Sequence, residues 1–197
     1  YEAFGEWERM LEGREWLVHE AALMVRHQGA PGEASRDQAL PFGELAIDYS
    51  RPFARIAYGD LFKKHFSVDM TDEAKVLELA KRAHVENAEK LDHWLRVSAQ
   101  FDEHAERDID PKKPTFVTDF PAAISPLTRP QPDKPHLSYR WELFIAGMEI
   151  ANAYTELNDP DVQLQKFTAQ LKGAGEEVST FSTLDMDFIH ALRVGMP

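Results

Sequence analysis

The 197-residue chain contains no cysteine, so neither a disulfide nor a thiolate-held metal is open to it. It is also short of positive charge: 22 Lys and Arg against 34 Asp and Glu give a formal net charge of −12. Nucleic-acid grips rest on clustered Lys and Arg, so this balance argues against the chain being one by itself. It better suits a cationic substrate, or a metal ion beside a phosphate. No apolar run approaches the roughly 18 residues that a membrane span needs, and no signal-peptide pattern opens the chain. With no targeting signal, a cytoplasmic location is the default expectation. Internal repeats and low-complexity tracts are missing too. What remains is ordinary for a soluble globular protein: 43% hydrophobic and 28% charged residues, and a length that fits one domain over residues 1–197.

Apolar positions at Met10, Leu11, Leu17, Val18, Ala21, Met24 and Val25 predict an amphipathic helix over residues 6–27, stopped by Gly29, Pro31 and Gly32. "IDYSRPFARI" (47–56) reads as a strand with Pro52 at an edge or bend, and "YGDLFKKHF" as a short helix. Thr71 is the expected N-cap of a helix that buries Val76, Leu77 and Ala80. Leu91, Trp94, Leu95 and Phe101 form a further stripe ending near Asp110. Seven of the 12 prolines then fall between Pro111 and Pro135, so that segment is extended, with "TFVTDF" starting a strand and "KPHLSYR" (134–140) serving as a connector. Asp159–Pro160 signals a helix start, continued by Leu164, Phe167 and Leu171 and broken by "KGAGEE". Thr183 is the expected cap of a last helix, closed by Gly195. Long helices with scattered strands and no regular βαβ alternation read as α+β. His84, His93 and His104 lie on helical stretches as surface or boundary residues, and the four tryptophans read as packing.

The stretch "ELFIAGMEIANAYTELNDP" threads Glu142, Glu149 and Glu156 at seven-residue spacing through apolar neighbours. On a helix all three share a face; on a strand they alternate. Good helix formers support the first geometry. Trp141, Ile145, Gly147, Ile150, Tyr154 and Thr155 support the second, two strands joined by a tight turn at Ala146–Gly147. In the two-strand reading Asn152, Tyr154 and Glu156 share a face, and Glu142 joins them if the register allows. Glu149 has the wrong parity and needs a bulge or the turn itself to point the same way. Converging carboxylates of this kind suit a Mg²⁺ that keeps most of its shell for water and phosphate oxygens. They also suit an ammonium on an aliphatic stem, with Tyr154 covering the methylenes, Glu156 pairing with the cation and Asn152 fixing a polar end. Solvated surface glutamates are the plain alternative.

"EIANAYTELNDP", with "ELF" upstream, closely resembles the substrate-binding strands of class II lysyl-tRNA synthetases. "YEAFGEWERML" is similar to the end of that family's motif 2 strand and the helix after it, "RPFARI" and "PTFVTDFPAAISPL" to two further strands, and "DFIHALRVGMP" to the helix before motif 3. The resemblance spans essentially the whole chain. It implies a class II aminoacyl-tRNA synthetase-like fold, an antiparallel sheet flanked by helices, and ATP-dependent activation of lysine followed by transfer to tRNA, in a homodimer. Carried over by position, it assigns Glu142 and Glu149 to Mg²⁺ and ATP, and Asn152, Tyr154 and Glu156 to lysine. It also gives Tyr1 to lysine. No residue is assigned as a general base.

The same resemblance implies that residues 1–197 are part of a catalytic domain. The anticodon-binding barrel and motif 1 have no counterpart, and the two phosphate-gripping arginines of motifs 2 and 3 fall outside the chain. Such a piece is expected not to activate lysine unaided. Two other readings stand beside it: a paralogue that passes lysine or an analogue to a protein, and a non-catalytic regulatory module on the same fold.

Overall fold

The structure is a computed structural model that describes residues 2–3, 5–27, 39–173 and 184–196. In chain order its elements are α1 (Trp7–His27), β1 (Ala39–Phe42), β2 (Leu45–Asp48), β3 (Ala54–Ala57), α2 (Tyr58–Phe66), α3 (Glu73–Arg82) and α4 (His93–Glu103). There follow β4 (Thr115–Thr118), β5 (Pro130–Gln131), β6 (Lys134–Ser138), β7 (Arg140–Ile145), β8 (Met148–Tyr154), α5 (Pro160–Gly173) and α6 (Met186–Val194). The expectations placed on Tyr1, on Thr183 and on the stop at Gly29, Pro31 and Gly32 lie outside the described residues.

Strands β3, β4, β7 and β8 form one sheet in that order. The expected antiparallel pairing holds from β4 through β7 to β8. β3 joins parallel to β4, making the sheet mixed. All of α2, α3 and α4 separates those two strands, and a parallel pair requires a crossover of that kind.

Each face of the sheet carries its own core. Ile56, Val117 and Phe144 pack with Tyr58, Leu61 and Phe62 of α2 and with Val97 and Phe101 of α4. Tyr58 stacks on Phe101 at 3.6 Å between ring centroids. Phe116, Trp141, Leu143 and Ile145 point the opposite way, against Leu11 of α1, Ile47 and Phe53. Alternation along β7 therefore decides which core each side chain enters. Among the described residues no helix is long and apolar enough to cross a membrane.

Several expectations shift in detail. The inward stripe of α1 runs through Leu11, Glu15, Val18 and Ala22, at helical spacing. Leu17, Ala21, Met24 and Val25 of the expected stripe are exposed, as is Trp16. Hydrophobicity alone misreads the inward face of this helix, though not its extent, because a carboxylate, Glu15, occupies one of its inward positions. The expected strand at 47–56 is two strands in different sheets, β2 and β3, with a turn at Ser50 whose amide donates to Asp48 Oδ1 (2.9 Å). Asp72 rather than Thr71 caps α3, accepting from the Lys75 amide. The Thr71 hydroxyl instead donates to Asp69. The "KPHLSYR" connector is strand β6 and the start of β7, pairing with β5 and β8. His93 is buried, its Nε2 2.8 Å from the Met70 carbonyl, because α4 turns it toward the loop before α3. Asp159 and Pro160 open α5 as read, with Asp159 Oδ1 accepting from the amides of Asp161 and Val162.

Candidate functional site

β7 and β8 are a hairpin, not a helix. The turn residues Ala146 and Gly147 both have positive φ, 55° and 76°, the conformation that matches the right-handed twist of the strands it joins. From the turn, Ile145 pairs with Met148 and Phe144 with Glu149. The register then shifts, so that Leu143 meets Ala151, Glu142 meets Asn152 and Arg140 meets Tyr154. Ile150 is the extra residue of a β-bulge. Without the bulge, two-residue alternation from the turn would send Asn152 and Tyr154 to the face of Trp141. With it, Arg140, Glu142, Glu149, Asn152 and Tyr154 all stand on one face, and Asn152 Nδ2 donates to Glu149 Oε1 at 2.9 Å.

Glu156 lies just past β8 and bridges antiparallel to Thr128. Around it the Arg129 amide donates to the Thr155 carbonyl, and the Leu157 amide to the Leu127 carbonyl, both at 2.9 Å. The segment 127–129 thus supports the Glu156 backbone from the side.

Burial grades the site. Glu149 and Asn152 are exposed, Tyr154 and Glu156 half-buried, and Glu142 is 8% exposed. Burial pushes the Glu142 carboxyl up to about 7, against the pull of Arg140 and with the added repulsion of Glu149 and Glu106. Burial alone raises Glu156, and no basic side chain pairs with it among the described residues. Tyr154 is raised by burial first, then by the charge of Glu156 beside it. A half-buried carboxylate beside a tyrosine, with no cation of its own, is electrostatically incomplete, and a ligand ammonium would complete it.

Sequence reasoning passed over three contributors. Arg140 donates to Glu142 Oε1 and, at 3.1 Å, to Ser125 Oγ, with its guanidinium 4.7 Å from the Phe120 ring centroid. Its position two residues before Glu142 on a strand was the available signal. Asp102 of α4 and Glu106 beyond it add negative charge near the site, and burial raises both carboxyls. Their own sequence neighbourhood gave no hint, since only the packing of α4 on the sheet brings them close.

Residues 1–197 match the tRNA synthetases class II (D, K and N) family. The chain belongs to this family. Within it, the chain is similar to lysine–tRNA ligases: that of Aquifex aeolicus (strain VF5) is 41% identical over 80% of this chain and 27% of the relative. That of Thermoanaerobacter sp. (strain X514) is 36% identical over 100% of this chain and 38% of the relative. A third, from Campylobacter jejuni subsp. doylei, is 39% identical over 81% of this chain and 32% of the relative. The chain therefore spans about a quarter to two fifths of the length of these curated relatives.

As a class II synthetase chain, it offers a donor set that fits Mg²⁺. Glu142 and Glu149 are two carboxylates on adjacent strands of one face, and Glu142 Oε2 takes no hydrogen bond among the described residues. Among those residues no group of three His, Asp or Glu is arranged to enclose an ion. Two carboxylates without a closed cage suit a hard cation that draws its remaining oxygens from water and a phosphate.

Proposed function

We propose that this chain supplies the amino acid pocket and part of the nucleotide site of a lysine–tRNA ligase, which activates lysine with ATP and transfers it to tRNA. The single observation that carries the reading is the bulged hairpin, which sets two carboxylates, an amide and a tyrosine on one face next to a glutamate with no cation beside it among the described residues. In this reading Glu156 takes the ε-ammonium of lysine, Tyr154 covers its methylenes, and Asn152 fixes a polar end. Tyr1 is a further lysine contact by family resemblance. Glu142 and Glu149 would hold Mg²⁺, which would supply charge neutralisation at the phosphate oxygens of ATP. The names of the relatives, all lysine–tRNA ligases, favour tRNA over a protein as the acceptor.

No general base is needed for activation, because the attacking carboxylate is already ionised. A lysine carboxylate oxygen forms a bond to the α-phosphorus of ATP, the bond to the bridging oxygen breaks, and pyrophosphate leaves with the electron pair. A tRNA hydroxyl oxygen then attacks the activated carbonyl, the bond from that carbon to the phosphate oxygen breaks, and AMP departs as its phosphate takes up the hydroxyl proton. The chain's own residues contribute by orientation and charge placement. Arg140 holds Glu142 in place through Oε1, and the other carboxylate oxygen takes no hydrogen bond among the described residues. Specificity comes from Glu156, since an amino acid lacking a distal cation leaves that carboxylate desolvated and unpaired.

Calorimetric titration of the complete protein tests the reading. Glu156→Gln should weaken lysine binding by about a hundredfold, the scale of one lost charge-assisted hydrogen bond, with ATP binding nearly unchanged. Equal losses for both ligands would remove Glu156 from the lysine pocket.

A further inference from the structure

Helix α5 begins just beyond Glu156, and its second turn directs a cation back toward the segment that supports that residue. Lys166 is half-buried and aims its ammonium at three backbone carbonyls: Thr128 at 2.8 Å, Ser125 at 3.2 Å and Ala122 at 3.5 Å. An ammonium has three donors, and all three are occupied here by main-chain oxygens. No carboxylate pairs with it among the described residues. Three residues earlier on α5, Gln163 is 1% exposed and donates to the Pro126 carbonyl at 3.1 Å. Side chains three apart share a helix face, so α5 grips the 122–128 turn from two adjacent positions.

The turn carries this grip into the site. Thr128 is 2% exposed and bridges to Glu156, and the Leu127 carbonyl accepts from the Leu157 amide on the other side of that residue. With Glu156 read as the partner of the substrate amine, on which this step rests, we infer that Lys166 is a positioning residue for the lysine pocket: by holding the Thr128 carbonyl it fixes the 127–129 backbone, which hydrogen-bonds the residues on both sides of Glu156. Burial without a counter-charge, which draws the Lys166 ammonium down to about 8, agrees with a cation held by carbonyl dipoles alone. Arg140 also reaches the turn, at Ser125 Oγ, but has Glu142 and the Phe120 ring as independent anchors. The Glu156 side therefore depends more on Lys166 than the Glu142 side does.

Lysine and ATP titrations of the complete protein, run on wild type, Glu156→Gln, Lys166→Met and Lys166→Arg, separate the possibilities. Lys166→Met should weaken lysine binding about tenfold, less than Glu156→Gln because it acts on the ligand only through the backbone that supports Glu156, and leave ATP binding within about twofold. Lys166→Arg, whose guanidinium donates to the same carbonyls, should recover most of the lysine affinity. Equal weakening of both ligands, or no recovery with arginine, would reduce Lys166 to general packing and overturn the inference. If Lys166→Met does not fold, Lys166→Gln keeps one donor group and the same split between ligands is read. A wild type that binds lysine and loses it in Glu156→Gln but not in Lys166→Met would sink this inference alone. A wild type whose lysine binding ignores Glu156→Gln would sink the pocket reading with it.

Discussion

Glu15 and Glu142 are both buried carboxylates, one on each side of the same sheet, and they are served very differently. Glu15 is 2% exposed; its Oε1 accepts from Arg51 Nε at 3.2 Å and from the Phe53 amide at 3.3 Å, and its Oε2 accepts from Arg55 Nη2 at 3.2 Å. Three donors on two oxygens complete the group, and it stitches α1 to the segment before β3 and to β3 itself. Glu142 has a single arginine, while Glu149 and Glu106 repel it. Burial is common to both, so burial does not mark the functional carboxylate. What separates them is that the protein completes the pairing of Glu15 and leaves that of Glu142 partial, which is what the proposed cation role of Glu142 needs.

The largest effect that could break this contrast is on activity. Glu142→Gln in the complete protein should lower Mg²⁺-dependent lysine activation by about 10²–10³, the scale of one lost electrostatic stabiliser of the transition state; pyrophosphate exchange measures it. Glu15→Ala should leave the rate of folded protein little changed. A comparable loss from Glu15→Ala at full folding would erase the distinction. In stability the order reverses. Glu15→Ala leaves the buried Phe53 amide without its acceptor, while Arg51 and Arg55 stay about half exposed to water, costing about 2 kcal/mol of unfolding free energy at neutral pH, read by denaturant titration.

The smallest effect sharpens the contrast by pH. The Glu142 carboxyl titrates near 7 in the folded protein, above the ordinary value of 4.5, so between those two values the native state holds more protons than the unfolded chain. Wild-type stability then falls as pH rises through that window. From pH 4 to pH 6 the metal-free wild type should lose about 2 kcal/mol relative to Glu142→Gln. A flat difference across that range would mean that Arg140 already satisfies Glu142.

Elements set by local chemistry were legible from sequence. Helix α2 spans "YGDLFKKHF" residue for residue, and Asp159–Pro160 opens α5 through side-chain capping of its first amides. The hairpin was legible through Gly147, whose positive φ costs glycine nothing, while Ala146 adopts the same region without that advantage. Some errors were local, as at Thr71, whose hydroxyl Asp69 takes while Asp72 caps the helix; the larger ones arose where a distant partner decided. The inward face of α1 follows Glu15, whose burial Arg51 and Arg55 offset, and neither arginine is near it in sequence. In the candidate site, Asn152, Tyr154 and Glu156 could be grouped by parity along one strand, whereas Glu142 on the other strand could join them only through the register. The bulge that reconciles Glu149 with them was legible only as a need, because register depends on the partner strand. Lys166 and Asp102 entered through packing between helices and loops, which single-strand patterns do not encode.

The bulge at Ile150 gives β8 a step in phase between its two ends. The carboxylate nearest the turn and the amide and ring farther along obey different counting rules, yet finish on the same side. Point substitutions between them change one side chain at a time, whereas a single inserted or deleted residue would rotate one half of this short ribbon away from the other. Spacing, more than residue identity, is therefore the quantity this strand is least able to change.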